Sequence, residues 1–287
     1  MENPQPLANL DEWEMDLLQR YPDPNKIATN KKTEAFRDYE AETKDSVKEF
    51  YRLNHQYQSY DFVQQKRTDF LKFDKREMPI WNAFDFLNEL VDDSDPDTDL
   101  DQMQHLLQTS EAIRNDGHPD WMVLVGLIHD MGKVLCLLGE PQWSVVGDTF
   151  PVGCAYSDKI VFPEFFKNNP DFEHEIYSQK YGVYAPHCGL SNVTMSWGHD
   201  EYVYQMMKDY LPEQGLYMLR YHSFYSQHKE SAYDHLMDAH DHELFEWVKL
   251  FNPYDLYSKN PNQKSWEELK PYYTALVKKY LPETLRF

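Results

Sequence analysis

An apolar run from Trp121 to Leu138 carries three ionisable side chains, His129, Asp130 and Lys133, within five consecutive positions. A helix that is apolar on every side belongs in a protein core. An unpaired aspartate buried there costs on the order of several kcal/mol, so it is paired or it holds a metal. One reading pairs Asp130 with Lys133, three residues on and on the same helix face. The other brings His129 and Asp130, about 100° apart around an α-helix, to one metal, or lets the carboxylate bridge two. The same ionisable groups make the run too polar to be read as a bilayer span.

The surrounding pattern is helical throughout, and the fold class expected is all-α, in one domain. Val47, Phe50, Tyr51 and Asn54 recur at i, i+3, i+4 and i+7, and Phe62, Val63 and Phe70 continue a second helical stretch between Thr33 and Asp74. Helices are expected over 78–91 with Pro79 near the start, and over 102–115, 119–138, 190–208, 212–221, 242–251 and 271–280. Residues 139–162, rich in Gly, Pro and β-branched side chains, read as a long ordered loop, and residues 1–30 as a loose arm. The aspartate-rich run DDSDPDTDLD at 92–101 fails the EF-hand pattern. Counted from Asp93, its sixth and twelfth positions hold Thr98 and Gln104 where Gly and Glu are needed.

With 287 residues the chain is long enough to bury a sizeable core. A net charge of −21 repels phosphate backbones and anionic lipid, so no nucleic-acid or membrane partner is expected, while a small neutral ligand is unaffected. Three cysteines, Cys136, Cys154 and Cys188, form no CxxC pair. This disfavours a disulfide framework or a structural zinc site and fits a reducing compartment. The first residues, MENPQPLANLDEWEMDLL, show no signal-peptide pattern, and a cytoplasmic protein is expected.

HExxH, GxGxxG and GxSxG are absent. GLIHDMGKV falls short of a P-loop, because Gly126 is one residue too far from Gly132–Lys133 and Val134 replaces the magnesium-binding Ser or Thr. The His-Asp dipeptide occurs three times, at 129–130, 199–200 and 240–241, so the pair alone is unspecific. The third lies in the polar stretch DAHDHELFE and reads as solvated surface; the first sits in the apolar run. His105, His199, His222 and Asp255 lie on other segments in apolar or aromatic settings. Each alone is more simply a satisfied core polar residue. Together they form an imidazole and carboxylate set without thiolate, which suits iron, zinc or manganese.

His105, His129–Asp130 and Asp255 resemble the H…HD…D signature of the HD-domain superfamily. The longer segments FRDY (36–39), DSDPD (93–97), GLIHDMGKVL (126–135), GEPQWSVVGDTFPVGC (139–154), PHCGL (186–190), SWGHDEY (196–202), HSFY (222–225) and FNPYDLY (251–257) look like the inositol oxygenase family. The resemblance covers residues 31–287 and makes that range the expected catalytic domain. It implies a single-domain HD-like helical fold with a buried non-haem di-iron centre, mixed-valent Fe(II)/Fe(III), that opens the ring of myo-inositol with dioxygen to give D-glucuronate, the first step of inositol catabolism. By the same resemblance His105, His129, Asp130 and Asp255 hold one iron, and His199 and His222 hold the other, with Asp130 bridging. Lys133, Gly147, Asp148, His222 and Ser223 line the substrate pocket, and Arg37, Asp92, Asp93 and Ser94 make lid-side substrate contacts. Lys133 and Asp130 are the candidate catalytic residues, and a monomer is expected.

Two rival readings share parts of this set. A metal-dependent phosphohydrolase on the HD scaffold would use His105, His129, Asp130 and Asp255, but it leaves His199 and His222 unexplained. A non-enzymatic helical scaffold would scatter the same residues as ordinary hydrogen-bonding groups.

Overall fold

The computed structural model describes residues 45–88, 102–257 and 265–287. The expected N-terminal arm, Arg37, and the acidic run with Asp92, Asp93 and Ser94 lie outside the described residues. Helix α1 (Asp45–Tyr57) buries Val47, Phe50, Tyr51 and Asn54, as their spacing predicts. Helix α2 (Tyr60–Phe70) starts at Ser59, whose hydroxyl accepts the Phe62 amide, and buries Val63 and Phe70. The helix expected from Met78 starts two residues later, as α3 (Ile80–Leu87). Glu77–Pro79 is instead strand β1, paired antiparallel with β2 (Thr284–Arg286) in the two-stranded sheet found among the described residues. The Lys75 and Arg76 amides donate to the Phe287 carbonyl, and this pairing takes Met78 and Pro79 out of the helix.

Helices α4 (Gln102–Asn115) and α5 (Asp120–Ile128) pack against each other. All of Met122 to Ile128 is buried, so α5 is enclosed on every side. The expected single helix over 119–138 is not continuous: at His129 the chain tightens into a 3₁₀ segment, His129–Leu138. The Gly126 carbonyl, which an α-helix would give to the Asp130 amide, accepts the ring Nδ1–H of His129. Apolar as it is, the stretch from Asp120 to Leu138 is mostly buried inside the protein.

The ordered loop runs to residue 198, well past the expected 139–162, because the helix expected from Leu190 starts only at His199. Short 3₁₀ turns (Gln142–Ser144, Pro163–Asn168, Leu190–Asn192) punctuate the loop. Aromatic packing and α1 hold it in place. Phe166 lies between His55 and Tyr156, with ring centroids 4.1 Å away on each side. The Gln58 amide exchanges two hydrogen bonds with the Trp197 backbone.

Helices α6 (His199–Met207), α7 (Glu213–Tyr221), α8 (Tyr225–Glu230), α9 (Ala239–Tyr257) and α10 (Trp266–Tyr280) complete the molecule. Helix α9 extends well beyond the expected 242–251 and continues through Pro253. Helix α10 starts before the expected 271, at a capping box formed by Ser265 and Glu268. A buried ion cluster ties α6 to α7: Glu201 accepts from Arg220 Nε at 2.7 Å and is also bridged by Arg67. The His240–Asp241 pair is not simply solvated surface. His240 is exposed, but Asp241 is buried and accepts from the Leu190 amide at 2.8 Å and the Tyr217 hydroxyl at 2.6 Å.

Burial pushes two core histidines, His55 and His228, down to about 4. Each titrates near 6.5 in an unfolded chain, so between pH 6.5 and 4 the unfolded state binds the extra proton. Stability is therefore full above pH 6.5 and falls as the pH drops, by up to about 3 kcal/mol per histidine at pH 4. His55→Phe keeps a ring against Phe166 but removes the titration. Denaturant unfolding from pH 7 to 4.5 is expected to show a dependence on pH shallower than wild type by up to about 1.4 kcal/mol per pH unit.

Candidate metal centre

Five structural elements meet at one point. His105 comes from α4, His129 and Asp130 open the 3₁₀ segment, His199 opens α6, His222 follows α7, and Asp255 lies in the last turn of α9. Three of the four histidines are held the same way. His129 Nδ1 lies 2.9 Å from the Gly126 carbonyl, His199 Nδ1 2.8 Å from that of Val145, and His222 Nδ1 3.0 Å from that of Leu219. Each carbonyl accepts an Nδ1–H, which leaves Nε2 as the free edge of the ring.

The Nε2 atoms converge. His105 and His129 approach within 3.2 Å of each other, as do His199 and His222. Asp255 Oδ1 lies 3.0 Å from His105 Nε2 and 3.1 Å from His129 Nε2. Asp130 stands between the two pairs, with Oδ2 at 3.5 Å from His129 and Oδ1 at 3.5 Å from His199. Among the described residues, two groups of metal-type donors result, His105/His129/Asp130 and Asp130/His199/His222. They share Asp130. Two imidazole nitrogens 3.2 Å apart need a proton or a metal cation between them, and no thiolate is present. The donor set fits a borderline metal such as iron.

Electrostatics agree with the geometry. Burial alone would raise the Asp130 carboxyl, yet Lys133 and the surrounding histidines hold it well below the usual range. Asp255 is depressed against its burial by His129 and His105. Burial would lower His129, but Asp130 and Asp255 push it up to about 9. His199 is raised against its burial by Asp200 and Asp130, whereas burial keeps His222 low. The pocket of charge is thus built for positive groups.

Lys133 lies beside this centre, with Nζ 3.0 Å from Asp130 Oδ2, and is buried. The expected ion pair therefore forms, next to the metal-type donors. Gly147 has a left-handed backbone (φ 94°), and a side chain there would press on Phe50. Asp148 is buried and accepts from the Tyr51 hydroxyl at 3.2 Å. The Thr149 amide donates to the Ser223 carbonyl at 2.9 Å, which sets the Gly147–Asp148 turn beside the segment that follows His222. Arg37, Asp92, Asp93 and Ser94 lie outside the described residues.

Three further residues support the centre without showing in the spacing of the sequence. Asp200, which the sequence leaves without a role, is buried against His199, His222 and Ser223. Its aromatic setting in SWGHDEY was the available signal. Gly132 meets the His199 backbone so closely that a Cβ would lie 2.1 Å from its carbonyl oxygen. Tyr254 anchors the turn beside Asp255: its hydroxyl donates to Asp116 Oδ2 at 2.6 Å and lies 2.9 Å from His118 Nε2.

The family model for myo-inositol oxygenase matches residues 44–287. The chain belongs to that family. It is 52% identical to inositol oxygenase 1 of Arabidopsis thaliana over 90% of this chain and 86% of the relative. It is 53% identical to a probable inositol oxygenase of Oryza sativa subsp. japonica over 88% and 85%. The mouse inositol oxygenase is 48% identical over 89% and 92%. The all-α, HD-like fold expected from the sequence agrees with this family and with the helices described above.

Three variants test how this family member assembles its centre. Asp130→Ala removes the carboxylate common to both donor groups, so metal analysis after anaerobic loading is expected to find both metals lost, whereas His222→Ala loses mainly one. Full metal content in Asp130→Ala would show that the carboxylate is not shared. Gly132→Ala forces the 3₁₀ segment away from His199. It is expected to lower metal content toward half, with a loss of about 1–3 kcal/mol in stability by denaturant unfolding.

Proposed function

We propose that the chain opens the ring of myo-inositol with dioxygen to give D-glucuronate, at a di-iron centre held by His105, His129, Asp130, Asp255, His199 and His222. The carrying observation is the pair of donor groups sharing Asp130 within a member of this family. That the chain is an oxygenase acting on inositol rests on the family and on relatives at about 50% identity. The choice of iron, its count of two and its mixed-valent state rest on the donor chemistry and the resemblance. Two irons there would supply the Lewis acidity and electron transfer that a reaction of a polyol with dioxygen needs. The reaction balances without an external reductant: inositol and dioxygen give glucuronic acid and water.

The chain's own residues bind, orient and hold protons. A neutral polyol needs hydrogen-bond partners rather than countercharges. Lys133 supplies an ammonium donor beside Asp130, and Asp148 supplies a buried acceptor. Ser223 adds a hydroxyl next to His222. Lys133, held 3.0 Å from Asp130, is placed to move a proton to or from a substrate hydroxyl. We further infer a monomer in the cytoplasm. Cys136, Cys154 and Cys188 are all free, which supports a reducing compartment.

The test is metal analysis with oxygen uptake. About two irons per chain and one glucuronate per dioxygen consumed are expected. One magnesium with phosphatase activity and no oxygen consumption would move the chain to the phosphohydrolase reading. Lys133→Ala separates substrate contact from a merely structural ion pair. With irons neutralising Asp130, the loaded variant is expected to keep its metal and most of its thermal stability while inositol turnover falls at least a hundredfold. Early unfolding with normal turnover per folded molecule would assign the lysine to structure alone.

A further inference from the structure

Asp200 has no part in the donor groups described above, yet it is among the most enclosed carboxylates near them, with 1% of its surface exposed. It follows His199 in the first turn of α6, and its carboxylate reaches the segment after α7. Oδ2 accepts the Ser223 amide at 3.1 Å, and Oδ1 accepts the Ser223 hydroxyl at 3.2 Å. Oδ1 also lies 2.8 Å from His199 Nε2 and 3.3 Å from His222 Nε2.

The direction of the serine bond follows from the chemistry. A carboxylate only accepts, so the single hydroxyl hydrogen of Ser223 is committed to Asp200. What Ser223 has left to offer is its lone pairs. Its backbone is pinned through two successive peptides, since its amide donates to Asp200 and its carbonyl accepts the Thr149 amide. Turning that hydrogen toward another acceptor would take a donor away from the buried carboxylate of Asp200. Lys133, on the other side of Asp130, is a donor.

We propose that Asp200 is a positioning residue that makes Ser223 an obligate hydrogen-bond acceptor for one hydroxyl of the polyol, opposite in sense to the donor Lys133. The inference deepens the inositol oxygenase reading and rests on it. A site of this kind requires a donor hydroxyl at one place on the ring. An analogue carrying fluorine there, which accepts weakly and donates nothing, leaves Ser223 facing an acceptor. In Asp200→Asn the side-chain oxygen stays with the Ser223 amide and the NH₂ turns to the hydroxyl. The serine hydrogen is freed and the preference is lost.

The experiment measures binding of myo-inositol and of each monofluoro-deoxyinositol to the iron-loaded protein by anaerobic titration calorimetry. Iron content is measured in parallel for wild type, Asp200→Asn, Ser223→Ala and the double variant. In wild type one fluorinated isomer is expected to bind at least tenfold more weakly than inositol. Asp200→Asn and Ser223→Ala are each expected to keep two irons and to shrink that ratio to about threefold or less, and the double variant to be no worse than either single one. Unchanged ratios in both variants overturn the proposal, as do additive losses. Loss of one iron in Asp200→Asn would also overturn it, making the residue part of the metal's support. Should Asp200→Asn fail to fold, the ratio in Ser223→Ala decides alone. If wild type neither binds inositol nor consumes dioxygen with it, the functional reading fails and this inference falls with it.

Discussion

Asp130 is the constraint on which the rest of the molecule turns. A carboxylate buried in an apolar interior is tolerated only when its charge is matched, and here the matching groups come from four directions: Lys133, His129, His199 and His105. None of them except Lys133 and His129 is close to Asp130 in sequence. The fold must therefore bring α4, α6 and the end of α5 to one point and hold them there. The buried Glu201–Arg220 pair joins the elements that carry His199 and His222, and the Tyr254–Asp116 bond fixes the turn that carries Asp255.

The histidines are aimed by a device used twice. His129 follows α5 and His222 follows α7, each one residue beyond its helix. A helix end leaves its last carbonyls without intrahelical partners. In both cases the ring Nδ1–H takes the carbonyl three residues back, Gly126 or Leu219. One bond then satisfies an orphan acceptor, fixes the tautomer and points Nε2 inward. The negative end of the helix dipole lies at the same place and favours the cation that Nε2 would meet. The loop carbonyl of Val145 does the same for His199, which opens its helix instead of closing it.

Much of this was legible in the chain. His129 and Asp130 announce themselves because buried ionisable groups in an apolar run demand an explanation, and the helical spacing of α1 and α4 follows from periodicity. What escaped depends on partners far away in sequence. Asp241 reads as solvent-facing because its immediate neighbours are polar. Its burial is compensated by the Leu190 amide, 51 positions away, and by the Tyr217 hydroxyl. The order of residues 139–198 rests on stacking against His55, near the end of α1, and on Gln58 just beyond that helix, both far away in sequence. Asp200 escaped because the His-Asp dipeptide alone is unspecific, and its contacts with His199, His222 and Ser223 form only in the fold.

The change from α-helix to 3₁₀ at His129 joins the remaining observations. In a 3₁₀ helix residues three apart eclipse one another, because a turn holds about 3.0 residues. Lys133 therefore stands directly over Asp130, where an α-helix would set the two at an angle, and the 3.0 Å approach follows. Gly132 then faces the His199 backbone, at a separation no side chain could occupy. Side chains of successive residues also open to about 120°, so His129 faces one donor group while Asp130 reaches both. The HDMGK segment is thus a short 3₁₀ stretch whose geometry sets the carboxylate between two histidine pairs, the lysine above it and the glycine behind it. The ion pair and the proposed substrate contact are not competing explanations of Lys133. The pair holds the ammonium in place when the histidines alone surround Asp130, and metal bound there would weaken the lysine's hold on that carboxylate and leave its protons for a neighbouring hydroxyl.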